Sequence, residues 1–164
     1  MTGPSRVRVA FRRLSPEARV PAYASEGDAG ADLTAVESTT LAPGERTLVR
    51  TGLAVALPPG TVGLVHPRSG LAARHGITVV NAPGTIDSGY RGEILVNLVN
   101  LDPREPFTVE VGDRIAQLVV QEYVHAEFSE ADSLPGSVRG DTGHGSTGGF
   151  GTTPPQTFEE VTTQ

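Results

Sequence analysis

The sequence predicts an all-β fold, a barrel or a sandwich of short strands. Short apolar runs of strand length recur along the 164 residues, separated by Gly and Pro. No long stretch shows helical periodicity. Aromatic content is 5% with no Trp, so the core has to be packed from Val, Leu, Ile and Ala.

The elements follow in order. Val7, Val9 and Phe11 alternate with Arg. Thr47–Leu57 is rich in Val and Leu and stops at Pro58–Pro59–Gly60, where proline removes a ladder donor. Val62–Val65, Ile77–Val80, Ile94–Leu101, Phe107–Val109 and Ile115–Val124 supply further strands. The one helical turn falls at Ser69–Arg74, with Gly76 as its C-terminal stop. No fixed-period repeat is present. Composition changes after Phe128. Residues 1–128 are expected to form the β-barrel core, and 129–164 a C-terminal arm with a Gly-rich stretch and a polar end.

Composition limits the chemistry. There is no cysteine, so disulfides, Cys-ligated zinc and a cysteine nucleophile are excluded. All thirteen basic residues are Arg, which removes a P-loop lysine and a Schiff-base lysine but leaves a two-pronged phosphate donor. The net charge of −6 disfavours a nucleic-acid polymer as partner. No apolar run is long enough for a membrane span, and Met1–Pro16 lacks the apolar centre of a signal peptide, so a cytoplasmic location is expected. The histidines at 66, 75, 125 and 144 lack metal-ligand spacing.

Five segments can carry chemistry, and each also has an ordinary structural reading. Asn81–Gly92, expected as a hairpin or tight loop, puts Asp87 at its tip among glycines. Asp87 can serve as a general base or simply as a turn residue. In His66–Gly70, Arg68 offers a guanidinium and Ser69 a helix N-cap facing an anion, or a plain cap. Asp28–Leu33 holds two carboxylates four residues apart, suited to a hydrated cation or to an acidic turn entering a strand. In Gly112–Gln117, Gln117 is polar inside an apolar strand and faces either a site or solvent. Arg139–Gly149 can form an anion-binding nest or a flexible linker.

Taken in order, Asp28–Leu33, Arg68–Gly70, Asn81–Arg91, Gly112–Gln117 and Arg139–Gly149 resemble the five motifs of the trimeric dUTPase family, from about Val7 to Gly149. The resemblance implies a distorted jelly-roll β-barrel in a homotrimer with an exchanged C-terminal arm. It implies hydrolysis of dUTP to dUMP and pyrophosphate with Mg²⁺ on the triphosphate, serving nucleotide-pool sanitation and dTTP synthesis. By the same resemblance, Asp87 activates the attacking water and Asp32 holds the magnesium through water. Arg68, Ser69 and Gly70 bind phosphates, with Ser69 near the bond that breaks. Asn81, Leu95 and the main chain of Thr85 and Ile86 read uracil, and Tyr90 packs on the deoxyribose. Gln117 contacts the α-phosphate region or the water. Arg139, Ser146 and Thr147 bind the γ-phosphate end when the arm closes, Gly145 is a further substrate-binding residue, and His144 stacks on the base where the family usually has Phe.

Two rivals stand beside this. A dCTP deaminase shares the fold but needs a further catalytic Glu, for which Glu93 is the nearby candidate. A non-catalytic β-rich module would bind nucleotide only.

Overall fold

The computed structural model describes residues 6–137. Among them, ten strands and one short helix occur. They are β1 (Ala10–Arg13), β2 (Ala31–Thr34), β3 (Thr39–Leu41), β4 (Arg46–Ala56), β5 (Thr61–His66), α1 (Ser69–His75), β6 (Ile77–Val79), β7 (Gly84–Ile86), β8 (Glu93–Asn100), β9 (Phe107–Val109) and β10 (Arg114–Glu122). One sheet runs β1-β4-β8-β6, a second β2-β10-β5-β7, and β3 pairs with β9. All pairings are antiparallel. The chain divides into one compact unit ending at His125 and a second beginning at Ala126. Residues 126–137 form no strand or helix and are exposed.

The core lies between the two larger sheets. Val49, Leu53, Val96 and Leu98 come from one sheet and Leu33, Val65, Ile115 and Leu118 from the other. Strict alternation produces this: β5 reads buried and half-buried in turn from Thr61 to His66. As expected from composition, the fully buried apolar side chains are Leu, Ile, Val and Ala.

β4 is bent at Gly52, which has φ of 66° and no ladder partner, because the register to β8 shifts between Arg50 and Ala54. Ser15, Ala18 and Val36 pack against the bare Cα of Gly52, a position that a Cβ would fill. At the far end of β8, the fully buried Asn100 satisfies its own amide. It donates to the carbonyls of Leu41 and Glu105 and accepts from the Asp102 N–H. That single side chain ties β8 to β3 and to the turn before β9.

The helix and three strands differ from the sequence expectation, and the 84–92 segment decides between its two readings. The helical turn reaches His75 and ends, as expected, on Gly76 in the left-handed region, but its N-cap is Arg68 and not Ser69. β2, β3 and β7 are strands that the apolar runs do not mark. The 84–92 segment is a tight loop and not a hairpin. β7 pairs with β5, whereas β8 pairs with β4 and β6, so residues 87–92 carry the chain from one sheet to the other.

Candidate active site

On the sheet β2-β10-β5-β7, Gln117 lies opposite Asp32 on one side and opposite His66 on the other. Cross-strand neighbours share a face, so β10 brings three polar residues from distant segments into one row. Gln117 donates to Asp32 Oδ1 at 3.4 Å. Gly30 makes room for this: a Cβ there would sit 3.1 Å from Gln117 Cβ. Gln117 therefore faces the row and not open solvent, being half-buried.

Asp32 is 8% exposed and is balanced by two arginines. Arg68 Nε lies 3.2 Å from Oδ1, and Arg114 Nη1 donates to Oδ2 at 3.1 Å. Arg68 is fixed a second time, by donating from Nη1 to the Arg114 carbonyl at 3.2 Å. Arg114 stands where the β2–β10 register slips, which turns its carbonyl out of the ladder. A guanidinium has five N–H donors, so Arg68 retains donors for an anion after these contacts. Ser69 makes no cap hydrogen bond. Its hydroxyl has no partner among the described residues and is exposed beside Arg68, and Gly70 adds no side chain there.

The second cluster is a cleft of about 180 Å³ where β7 of one sheet meets β8 and β6 of the other. Asn81, Thr85, Ile86, Asp87, Tyr90 and Leu95 all line it. β7 is the last strand of its sheet and pairs only with β5, so its other edge presents main-chain N–H and C=O groups to the cleft. That is what reading a pyrimidine edge requires. Gly84 is buried, and a Cβ on it would press on Asn81 Nδ2 at 3.3 Å. The tip is a turn closed by Tyr90 N–H on the Asp87 carbonyl at 3.0 Å and braced by Arg91 on the Ser88 and Tyr90 carbonyls. Asp87 is exposed, and its carboxylate has no partner among the described residues. Tyr90 folds back so closely that a Cβ on Gly92 would overlap its ring.

None of Asp32, Arg68, Ser69, Gly70 or Gln117 lines that cleft. The predicted site residues thus fall into two half-sites. Arg139, His144, Gly145, Ser146 and Thr147 lie outside the described residues.

A metal held wholly by protein is not provided: among the described residues, no three His, Asp or Glu are grouped for one. Magnesium on a triphosphate needs only one or two carboxylates, the rest of its shell being phosphate and water. Asp32 fits that lesser demand. A carboxylate has about four lone-pair sites, and the donors on Asp32 are Arg68, Arg114 and Gln117. Asp28 instead serves its own turn, accepting the Ser25 N–H at 2.8 Å.

One contributor escapes sequence reasoning. Arg114 lies inside the Gly112–Gln117 segment, but nothing local marks it as the partner of Asp32. Glu93 is bound by its carboxylate to the Gly52 N–H at 2.8 Å and to Arg50. That engagement removes it as the free acid a deaminase would need.

Two antiparallel sheets packed face to face, with a cleft at the edge of one, are the frame of a jelly-roll β-barrel protein. Residues 16–148 match the dUTPase family, and the chain belongs to that family. The deoxyuridine 5'-triphosphate nucleotidohydrolase of Thermobifida fusca is 62% identical over 143 residues, covering 87% of this chain and 80% of that protein. That of Mycobacterium avium is 60% identical over 147 residues, covering 86% and 95%. The Staphylococcus bacteriophage 80alpha dUTPase with dUPNHPP superposes with a TM-score of 0.79 at 29% identity, covering 86% of this chain and 98% of that one. A phage phi11 dUTPase mutant, whose structure is described as revealing the coordination of a structural Mg(II) ion, gives 0.73 at 26%, covering 79% and 100%.

Proposed function

We propose that the protein hydrolyses dUTP to dUMP and pyrophosphate, with Mg²⁺ carried on the triphosphate. The observation that carries the reading is the unpaired Asp87 carboxylate at the mouth of a cleft with an open strand edge. A base must reach its water without first breaking a contact of its own. The family membership and the relatives' names agree with it.

The uracil reads against β7 and Asn81, whose donors and acceptors match its edge and mismatch the inverted edge of cytosine. Leu95 packs on the ring, and Tyr90 supports the deoxyribose and leaves no space for a 2′-hydroxyl. Arg68, Ser69 and Gly70 hold the phosphates, and Gln117 holds the α-phosphate region. Asp87 takes a proton from water as its oxygen attacks the α-phosphorus in line. The bond from that phosphorus to the bridging oxygen breaks, and pyrophosphate leaves. Magnesium, when bound, would supply charge neutralisation on the triphosphate, and Asp32 would hold it through water. Such chemistry is mostly positioning and electrostatics.

The two half-sites of one chain do not share a cleft, which supports a homotrimer whose sites join the cleft of one copy to the arginine row of another. The arm beyond Phe128 would complete each site from a further copy and stack His144 on the base. A cytoplasmic role in clearing dUTP and supplying dUMP follows. Among the described residues, no helix is long and apolar enough to cross a membrane.

Pyrophosphate release measured with dUTP, dTTP, dCTP and UTP, with and without Mg²⁺, tests this. Release from dUTP alone and only with the metal is expected. Comparable release from the others, or ammonia from dCTP, would refute it.

A further inference from the structure

One carboxylate in the cleft has no part in the proposed reaction. Glu93 opens β8, and its side chain is 17% exposed. Its Oε1 accepts the Gly52 N–H at 2.8 Å, and Arg50 Nε reaches both of its oxygens at 3.3 and 3.2 Å. These contacts fall where the β4–β8 ladder breaks between Arg50 and Ala54. The side chain thus replaces pairing that the bulge removes. The main-chain carbonyl of the same residue accepts the Tyr90 hydroxyl at 2.9 Å. Gly92 lies directly beneath the Tyr90 ring. Tyr90 is 45% exposed, so packing alone leaves its ring free to tilt. The bare Gly92 and the Glu93 carbonyl set its position, and the Glu93 carboxylate sets where that carbonyl stands.

We infer that Glu93 is a positioning residue for sugar selection, pinning the start of β8 to the β4 bulge so that Tyr90 discriminates deoxyribose from ribose. The inference rests on the reading of Tyr90 as the sugar platform. Rejecting a single extra hydroxyl demands a surface fixed to a fraction of an ångström. The Arg50 pair contributes little to this, because Arg50 is 45% exposed. The half-buried Gly52 N–H is the principal anchor.

The test is steady-state kcat and KM for dUTP and UTP in wild type, Glu93→Ala, Glu93→Gln, Tyr90→Phe and Tyr90→Ala. Glu93→Ala and Tyr90→Phe should each raise the KM for dUTP about tenfold, with kcat within about twofold, and narrow the dUTP:UTP preference. Glu93→Gln should recover most of the loss, since its amide oxygen can accept the Gly52 N–H. A purely structural Glu93 would lower kcat through loss of folded enzyme at unchanged KM and preference, and that result overturns the inference. If Glu93→Ala does not fold, Glu93→Met, which keeps the side-chain length but cannot accept the Gly52 N–H, takes its place. If Tyr90→Ala collapses the preference while Glu93→Ala and Tyr90→Phe keep it, positioning fails and the platform stands. If Tyr90→Ala also keeps it, the platform reading falls and takes the inference with it.

Discussion

Arg68 Nε lies 3.2 Å from Asp32 Oδ1, and the Arg68 side chain is 24% exposed while that of Asp32 is 8% exposed. A carboxylate so shielded depends on its partners, and here they are two cations. Asp32→Ala would leave Arg68 and Arg114 facing one another without a counter-charge. The expected loss is about 2 kcal/mol of stability, below the usual cost of breaking a fully buried pair because Arg114 is half exposed. Urea unfolding measures it. Hydrolysis should fall by at least about a hundredfold, because Arg68 loses its fixed direction toward phosphate. A variant that keeps wild-type stability would show that the two arginines do not need Asp32.

Asp87 behaves oppositely. Its carboxylate is exposed and contacts nothing among the described residues. Asp87→Asn should therefore leave the thermal midpoint within about one degree. It should lower kcat by about 10²–10⁴-fold while the nucleotide still binds. Calorimetric titration with a non-hydrolysable dUTP analogue separates binding from turnover. Near-normal kcat would remove Asp87 as the base.

The sequence makes the apolar strands legible and hides those that carry an aspartate or begin with glycine. Phe107–Val109 matches β9, and the runs at 47–57, 62–65, 94–101 and 115–124 fall on β4, β5, β8 and β10. Each is apolar because one face is buried. β2 was hidden because its four buried residues, Ala31–Thr34, include an aspartate. β7 was hidden because its three residues begin with glycine. The four site segments among the described residues are visible one by one. Their joining is not, because the pairing of Gln117 with Asp32 spans the fold and local pattern carries no register between distant strands. Local sequence marks Glu93 only as a rival catalytic acid, since its partners Gly52 and Arg50 lie more than forty residues away.

Gly52 and Gly44 offer a paired test of packing. Both have positive φ, 66° and 77°. A Cβ on Gly52 would lie 2.9 Å from Ser15 Cβ and Val36 Cγ1, whereas nothing stands within 4 Å of one on Gly44. Gly44→Ala should cost about 1 kcal/mol, the conformational strain alone. Gly52→Ala should cost about 3 kcal/mol, because overlap with the side chains of Ser15, Ala18 and Val36 adds to it. Equal shifts in urea midpoint for the two would mean that the bulge is slack.

The acid limb of stability should report the turn before β9. Asp102 Oδ1 accepts the N–H groups of Arg104 and Glu105 at 2.8 and 2.9 Å. The Glu105 N–H, then the Arg104 N–H, hold its carboxyl below the ordinary value of 3.8. A folded-state pKa below the unfolded one means that the unfolded chain binds the proton more readily. The contribution is therefore complete above the ordinary value and lost as pH falls through the lowered one. Asp102→Asn should be less stable than wild type at neutral pH, and the gap should close as pH drops below about 3.8. Because the buried Asn100 accepts the Asp102 N–H from the other side of the turn, the backbone anchor persists in the variant. Urea midpoints at neutral pH and at pH values below the ordinary carboxyl range measure the gap directly. A gap that stays constant across that range would place the origin of any destabilisation outside the ionised carboxylate.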